Sequence, residues 1–442
     1  MGYLNGWTRL RAMRLAVPPE KRLSREAATT IALHSFFQLG ASMSGVFLTL
    51  YLWRLTESLA VNALYSLLSF AVGPLAFAVA GKFAKTRDRL FTYRLGIGLT
   101  ALFYLLVIVA GARVADYYYA FALLGGTAGA LYWLGYLTLM NDVSTDANRI
   151  RYLGFNSIMF NLAGLAGPAA AGFLIGLADG LRGYMLVFTT AFVMFVAAAI
   201  GSFRLKEAAS HHRAYYLRML PLLFRKDRPF RHSLYGWFFM GTYQGLLLFL
   251  PNLLLFSVLG REDWVGYAGV GLLGLTIGTS YALTRRGVPE LARRYAVFGA
   301  AAFVAGAGTM LLFGIRLWTV GVFAISYYAF IPLLVNSFSA YSYRLVGRLP
   351  LRGHLRVESI VARETFLNAG RVAALGMILA FASDLRSPWI AVVLLGAALL
   401  QFNFAWIIKR DPGGEPTGRA AAAVPPDATP AGTPKGRRPS SL

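Results

Sequence analysis

The 442-residue chain contains no cysteine. That excludes disulfide staples, thiol nucleophiles and cysteine-ligated metal. Charge is scarce as well: 14% of residues are charged, where a soluble domain carries about 25%. Acids are scarcer than bases, with 19 Asp and Glu against 43 Lys and Arg and a formal net charge of +24. The clustered His, Asp and Glu of a hydrolytic or metal enzyme are missing. No Walker loop, dinucleotide fingerprint, zinc motif or Gly-x-Ser-x-Gly elbow falls in a sensible place. No enzyme activity, ATP use, cofactor or metal is therefore expected. What the chain has in abundance is apolar residues, 57%, and aromatics, 14%. That composition excludes disorder for most of its length. The positive surplus first suggests nucleic acid or anionic lipid as a partner, and the placement of the charges decides between them.

Crossing about 30 Å of hydrocarbon takes about 20 apolar residues as a helix. Twelve runs of that kind lie at 28–52, 58–81, 93–112, 117–140, 153–178, 183–203, 233–257, 264–284, 295–315, 317–343, 360–383 and 387–408. A barrel would show strands of about ten residues with alternating polarity, and stretches such as 101–110 (ALFYLLVIVA) show none. The expected fold is an all-α membrane bundle of twelve helices.

On that map 36 of the 43 basic residues fall on one side. The opposite connections carry one each, Arg54, Arg113, Arg182, Arg261, Arg316 and Arg386, and Arg371 alone lies inside a span. Positive segments resist translocation, so both termini are expected in the cytoplasm, the span number is even, and the charge is an orientation signal. The partner it implies is the lipid bilayer of a bacterial plasma membrane, not nucleic acid.

The segment 1–27 interleaves Leu4, Trp7, Leu10, Met13 and Val17 with arginine. It reads as a basic helix on the inner leaflet, with a mitochondrial presequence as the competing reading. Two six-helix halves, 28–203 and 233–409, flank a polar linker at 204–232 that holds His211-His212 and Tyr215-Tyr216. The proline-rich tail 410–442 cannot bury a core and is expected to be disordered.

Six plus six helices, cytoplasmic termini and a basic middle loop resemble a major facilitator superfamily transporter. The loop motif between helices two and three is partly kept: Gly81 matches, Lys85 stands where the family places an aspartate, and Asp88 arrives three positions late. That substitution removes the acid on which the family builds its gate-locking ion pair. Helix five reads Gly164, Gly167-Pro168 and Gly172. This resembles the glycine-proline pattern of the antiporter branch, and close helix packing explains the same residues. The arginine that branch carries in helix four is missing.

Charged and polar groups inside spans point to function. Glu364, Asn368 and Arg371 are spaced four and three apart and share a helix face. Arg371 is expected to bind an anionic group and Glu364 to take up a proton, the alternative being a structural polar network. His34 could also carry a coupling proton, and Gln38 lies one turn beyond it. The resemblance implies that helices one, four, seven and ten line a central cavity. That adds Tyr132, Tyr136, Tyr243, Gln244 and Asn336 as cavity candidates; Asn161 joins them as the repeat counterpart of Asn368. The expected function is monomeric, secondary, proton-coupled export of a small solute by alternating access. A lipid or glycolipid flippase and a non-transporting receptor or assembly partner are the alternatives.

Overall fold

The computed structural model describes residues 22–144, 148–178, 180–205, 214–286, 291–349 and 355–409. Residues 1–21 of the N-terminal basic segment, His211-His212 and the proline-rich tail lie outside them. The described residues fold into helices, as a chain in hydrocarbon must to satisfy its backbone. In chain order they are α1 Arg25–Thr56, α2 Leu59–Ala71, α3 Gly73–Thr86, α4 Arg89–Ala110, α5 Tyr118–Asp142, α6 Arg149–Gly176 and α7 Leu181–Ser202. There follow α8 Leu220–Lys226, α9 Arg228–Leu247, α10 Leu250–Leu259, α11 Glu262–Arg286, α12 Ala292–Phe313, α13 Leu317–Arg348, α14 Arg356–Phe381, α15 Pro388–Leu400 and α16 Asn403–Lys409.

Three of the twelve expected spans are broken into two helices. The second divides at Val72, where Pro74 enters α3 without an N–H to continue the ladder. The seventh divides before Pro251 and the twelfth at Gln401-Phe402. Eleven of the spans are long and apolar enough to cross a bilayer. The remaining one, α11, has the length at 25 residues. Its five glycines add almost no hydropathy, and it still packs along α6 and α13. The segment expected as a plain linker contains α8, whose Leu223 is buried with Phe230, Leu234, Leu349 and Leu355.

Helices α1, α6 and α7 pack together in the first half, and α9 with α14 and α12 with α13 in the second. The halves meet along two seams: α6 against α11, and α14 against α2 and α3. Counted in spans, these are five with eight and eleven with two, the same contact seen from each half of a repeated architecture. The glycine-proline run of α6 serves the packing on two sides. A Cβ at Gly167 would sit 2.1 Å from the Ser42 hydroxyl oxygen and 2.8 Å from the Met43 amide nitrogen of α1. Across the seam, a Cβ at Gly266 of α11 would lie 2.8 Å from the Pro168 carbonyl oxygen and 3.3 Å from Gly172. Gly164 faces Leu273 at ordinary contact distance.

Candidate functional site

Arg371 sits near the middle of α14, and the backbone crossing that presents it is tight. A Cβ on Gly241 of α9 would come within 2.1 Å of the Leu367 carbonyl oxygen, and one on Gly245 within 2.7 Å of the Arg371 Cα. From the other side, a Cβ on Gly370 would lie 2.1 Å from the Phe238 carbonyl oxygen. Only glycine allows α9 and α14 this close, and the approach brings Gln244 to the arginine. Arg371 donates through Nε (3.2 Å) and Nη2 (2.6 Å) to Gln244 Oε1, and through Nη1 (2.8 Å) to Asn368 Oδ1. Its guanidinium also lies over the ring of Phe70, 4.8 Å from the centroid. Phe70 belongs to α2, so the arginine reaches across the seam between the halves.

The break in the second span is fitted to the same place. A Cβ on Gly73 would lie 2.7 Å from Asn368 Nδ2, so the helix interruption leaves room for the amide. Asn368 in turn donates to the Glu364 carbonyl oxygen at 2.9 Å. Three of the five guanidinium N–H groups are thus engaged, all by neutral oxygens, and no carboxylate pairs with Arg371 among the described residues. The Glu364 carboxylate instead accepts from Arg363 Nε (3.0 Å) and Nη2 (2.5 Å), and Arg363 lies over the Trp237 ring.

A second polar cluster lies within the first half. His34 is buried, its Nδ1 2.5 Å from the Tyr132 hydroxyl, and its ring stacks on Tyr136 at 3.7 Å. Tyr136 donates to Asn156 Oδ1 at 2.5 Å, and Tyr132 stacks on Phe37 at 3.4 Å. Reciprocal glycines hold the tyrosine helix close: Gly96 of α4 faces the Tyr132 backbone and Gly135 of α5 faces Tyr93.

The other expected residues are dispersed. Gln38 is buried on α1, Asn161 half-buried on α6, and Asn336 exposed on α13. Tyr243 is buried against Phe303, with ring centroids 4.5 Å apart.

Two contacts that no sequence spacing signalled join the halves, one at each face. On the arginine-rich face, Lys85 at the end of α3 lies 3.5 Å from Glu358 of α14, and Glu358 is wholly buried. A lysine thus stands in α3 where the resembled motif places an aspartate, and it pairs with an acid in α14. Gly81 packs against Tyr215 beside it. Burial, and then the Glu358 carboxylate, push the Tyr215 phenol up to about 12. On the opposite face, Glu262 of α11 accepts from Arg54 Nε of α1 (2.5 Å) and from the Tyr184 hydroxyl of α7 (3.1 Å). Some of the basic residues hold the first half together on the arginine-rich face: Arg94 donates to the Ser202 and Leu205 carbonyls, and Arg89 pairs with Asp142.

Known proteins share this architecture. The chain is 30% identical over 356 residues to the uncharacterized protein YqgE of Bacillus subtilis (strain 168), an alignment covering 78% of this chain and 80% of the relative. A variant of the nucleoside transporter NupG superposes with a TM-score of 0.64 at 12% identity, covering 87% of this chain and all of that one. A D-xylose-proton symporter superposes equally well, with a TM-score of 0.64 at 13% identity over 86% and 97% of the two chains. The family model described as Major Facilitator Superfamily matches residues 30–355. The chain therefore belongs to the major facilitator superfamily and is a multi-pass, non-enzymatic membrane transporter.

Proposed function

We propose that this transporter carries a small anionic solute by alternating access, the two six-helix halves rocking about a site at Arg371. The observation that carries the reading is the arginine itself, held in the seam between the halves by neutral oxygens and an aromatic face. An arginine in a membrane interior is costly, by about 3 kcal/mol or more. A fixed guanidinium with donors to spare repays that cost by offering an anion a charge-assisted, two-pronged contact. The two face contacts suit the same cycle. Lys85–Glu358 and Arg54–Glu262 each tie one half to the other at one face, so each can serve as the closed side while the other opens.

The excess of arginine and lysine on one face supports a cytoplasmic placement for that face and a bacterial plasma membrane for the protein. Proton-coupled export extends the reading, with His34 and Glu364 as the groups able to exchange a proton. The test is thermal unfolding of purified wild type beside Arg371→Gln, each with benzoate, citrate, glucose 6-phosphate, uridine or D-xylose. Ligand binding to the folded state raises its apparent stability. At least one anion should raise the melting temperature of the wild type and leave Arg371→Gln unmoved. Equal shifts in both proteins, or shifts with the neutral probes alone, would overturn the anion site.

A further inference from the structure

The middle linker touches both halves at the Lys85–Glu358 contact, through two consecutive residues. The Tyr215 hydroxyl donates to the Ala78 carbonyl oxygen of α3 at 3.0 Å. Gly81, one turn further along, leaves the phenol its space, since a Cβ there would lie 2.7 Å from the hydroxyl oxygen. The Tyr216 backbone amide donates to Glu358 Oε1 of α14 at 2.9 Å, the same oxygen that faces Lys85. The other oxygen, Oε2, is buried with no hydrogen-bond partner among the described residues. The groups that meet Glu358 are therefore the Lys85 ammonium from α3 and, from the linker, the Tyr216 amide and the nearby Tyr215 phenol.

Adjacent residues have Cα atoms about 3.8 Å apart. A segment anchored to α3 by one residue and to α14 by the next cannot follow both helices as they separate. We infer that Tyr215-Tyr216 is a clasp of the gate on the arginine-rich face: it closes with the Lys85–Glu358 pair, and one of its two contacts must break before that face opens. The linker thereby sets the gate as well as joining the halves. This rests on the alternating-access reading given above.

The absence of native cysteine makes the test direct. Val361 of α14 is buried in one apolar cluster with Ala80 and Ala84 of α3, so Val361→Cys places a single thiol inside the closed gate. Its alkylation rate by N-ethylmaleimide in proteoliposomes reports opening. Removing one buried hydrogen bond should raise the open population about five-fold, the equivalent of about 1 kcal/mol. Tyr215→Phe should therefore accelerate alkylation about five-fold and Lys85→Gln at least as much, while Tyr235→Phe on α9 leaves it unchanged. In the exchange Lys85→Glu/Glu358→Lys the ion pair returns, but a lysine cannot accept the Tyr216 amide, so the rate should stay elevated. A wild-type rate in Tyr215→Phe with acceleration in Lys85→Gln, or a full return to the wild-type rate in the exchanged pair, would overturn the clasp and leave the gate standing. Wild-type rates in both single variants, with the thiol reactive once the protein is unfolded, would overturn the alternating-access reading as well.

Discussion

Adding one methyl group at Gly241 probes the geometry on which the arginine site depends. An alanine there would place its Cβ 2.1 Å from the Leu367 carbonyl oxygen and 3.1 Å from the Arg371 amide nitrogen. An ordinary C···O contact is about 3.3–3.6 Å, so α9 and α14 must part by roughly 1 Å. Both atoms belong to backbone, and no rotamer change relieves them. Overpacking of this kind costs about 1–3 kcal/mol. A gap of about 0.5–1 Å elsewhere along the crossing forfeits a quarter to a half of each dispersion contact. The matched control is Gly376→Ala, also within α14, where nothing lies within 4 Å of the added methyl. There the change gains roughly 0.5–1 kcal/mol by stiffening the unfolded chain and favouring the helix. The two single-methyl variants should move the apparent melting temperature in opposite directions in the same detergent, Gly241→Ala down and Gly376→Ala up. If Gly241→Ala melts with or above Gly376→Ala, the crossing is looser than described and the placement of Arg371 loses its basis.

Phe70→Leu removes the ring under the Arg371 guanidinium, a desolvated cation–π contact of up to about 2 kcal/mol. It should lower the melting temperature in the wild-type background but not beside Arg371→Gln, and Phe70→Tyr should restore it. The phenol of Tyr215, pushed up to about 12, stays protonated in the folded protein above the unfolded value of 10. Its contribution to stability is complete below pH 10 and is lost as pH rises from 10 toward about 12. Tyr215→Phe should therefore show a shallower alkaline loss in that window, followed by tryptophan fluorescence. Glu262→Gln and Arg54→Gln should each cost only about 0.2–1 kcal/mol, because Arg54 is half-exposed, and should not add, because both remove the same ion pair. The wild-type advantage should fade in 1 M salt, where the screening length is about 3 Å.

The span pattern was legible because hydrophobic runs are local, and helix ends fall within about five residues of the hydropathy boundaries. Arg371 and Asn368 were legible together because a spacing of three puts two residues on one helix face, and they are bonded. Gln244 could be named as polar and inside a span, but its bond to Arg371 joins residues 127 apart. Hydropathy and spacing carry no information at that separation. The same holds for Arg54 and Glu262, 208 apart. A signal did exist for the α9–α14 crossing: Gly241 and Gly245, four apart, mark the face where another helix can come close. The Lys85–Glu358 pair was hidden because Lys85 reads as a lost aspartate, and Glu358 sits just before the expected start of its span. The weak apolar character of α11 has the opposite lesson, since glycines that lower its hydropathy are what let it pack against Pro168 and Gly172.

An anion site at Arg371 in a secondary transporter should support counterflow in proteoliposomes without ATP. Vesicles loaded with unlabelled benzoate, citrate or glucose 6-phosphate are diluted into a trace of the same labelled anion. The wild type should transiently accumulate at least one of these anions, and Arg371→Gln none. Equal accumulation by both proteins, or movement of a labelled phospholipid between leaflets with no counterflow of any of these anions, would contradict the anion site.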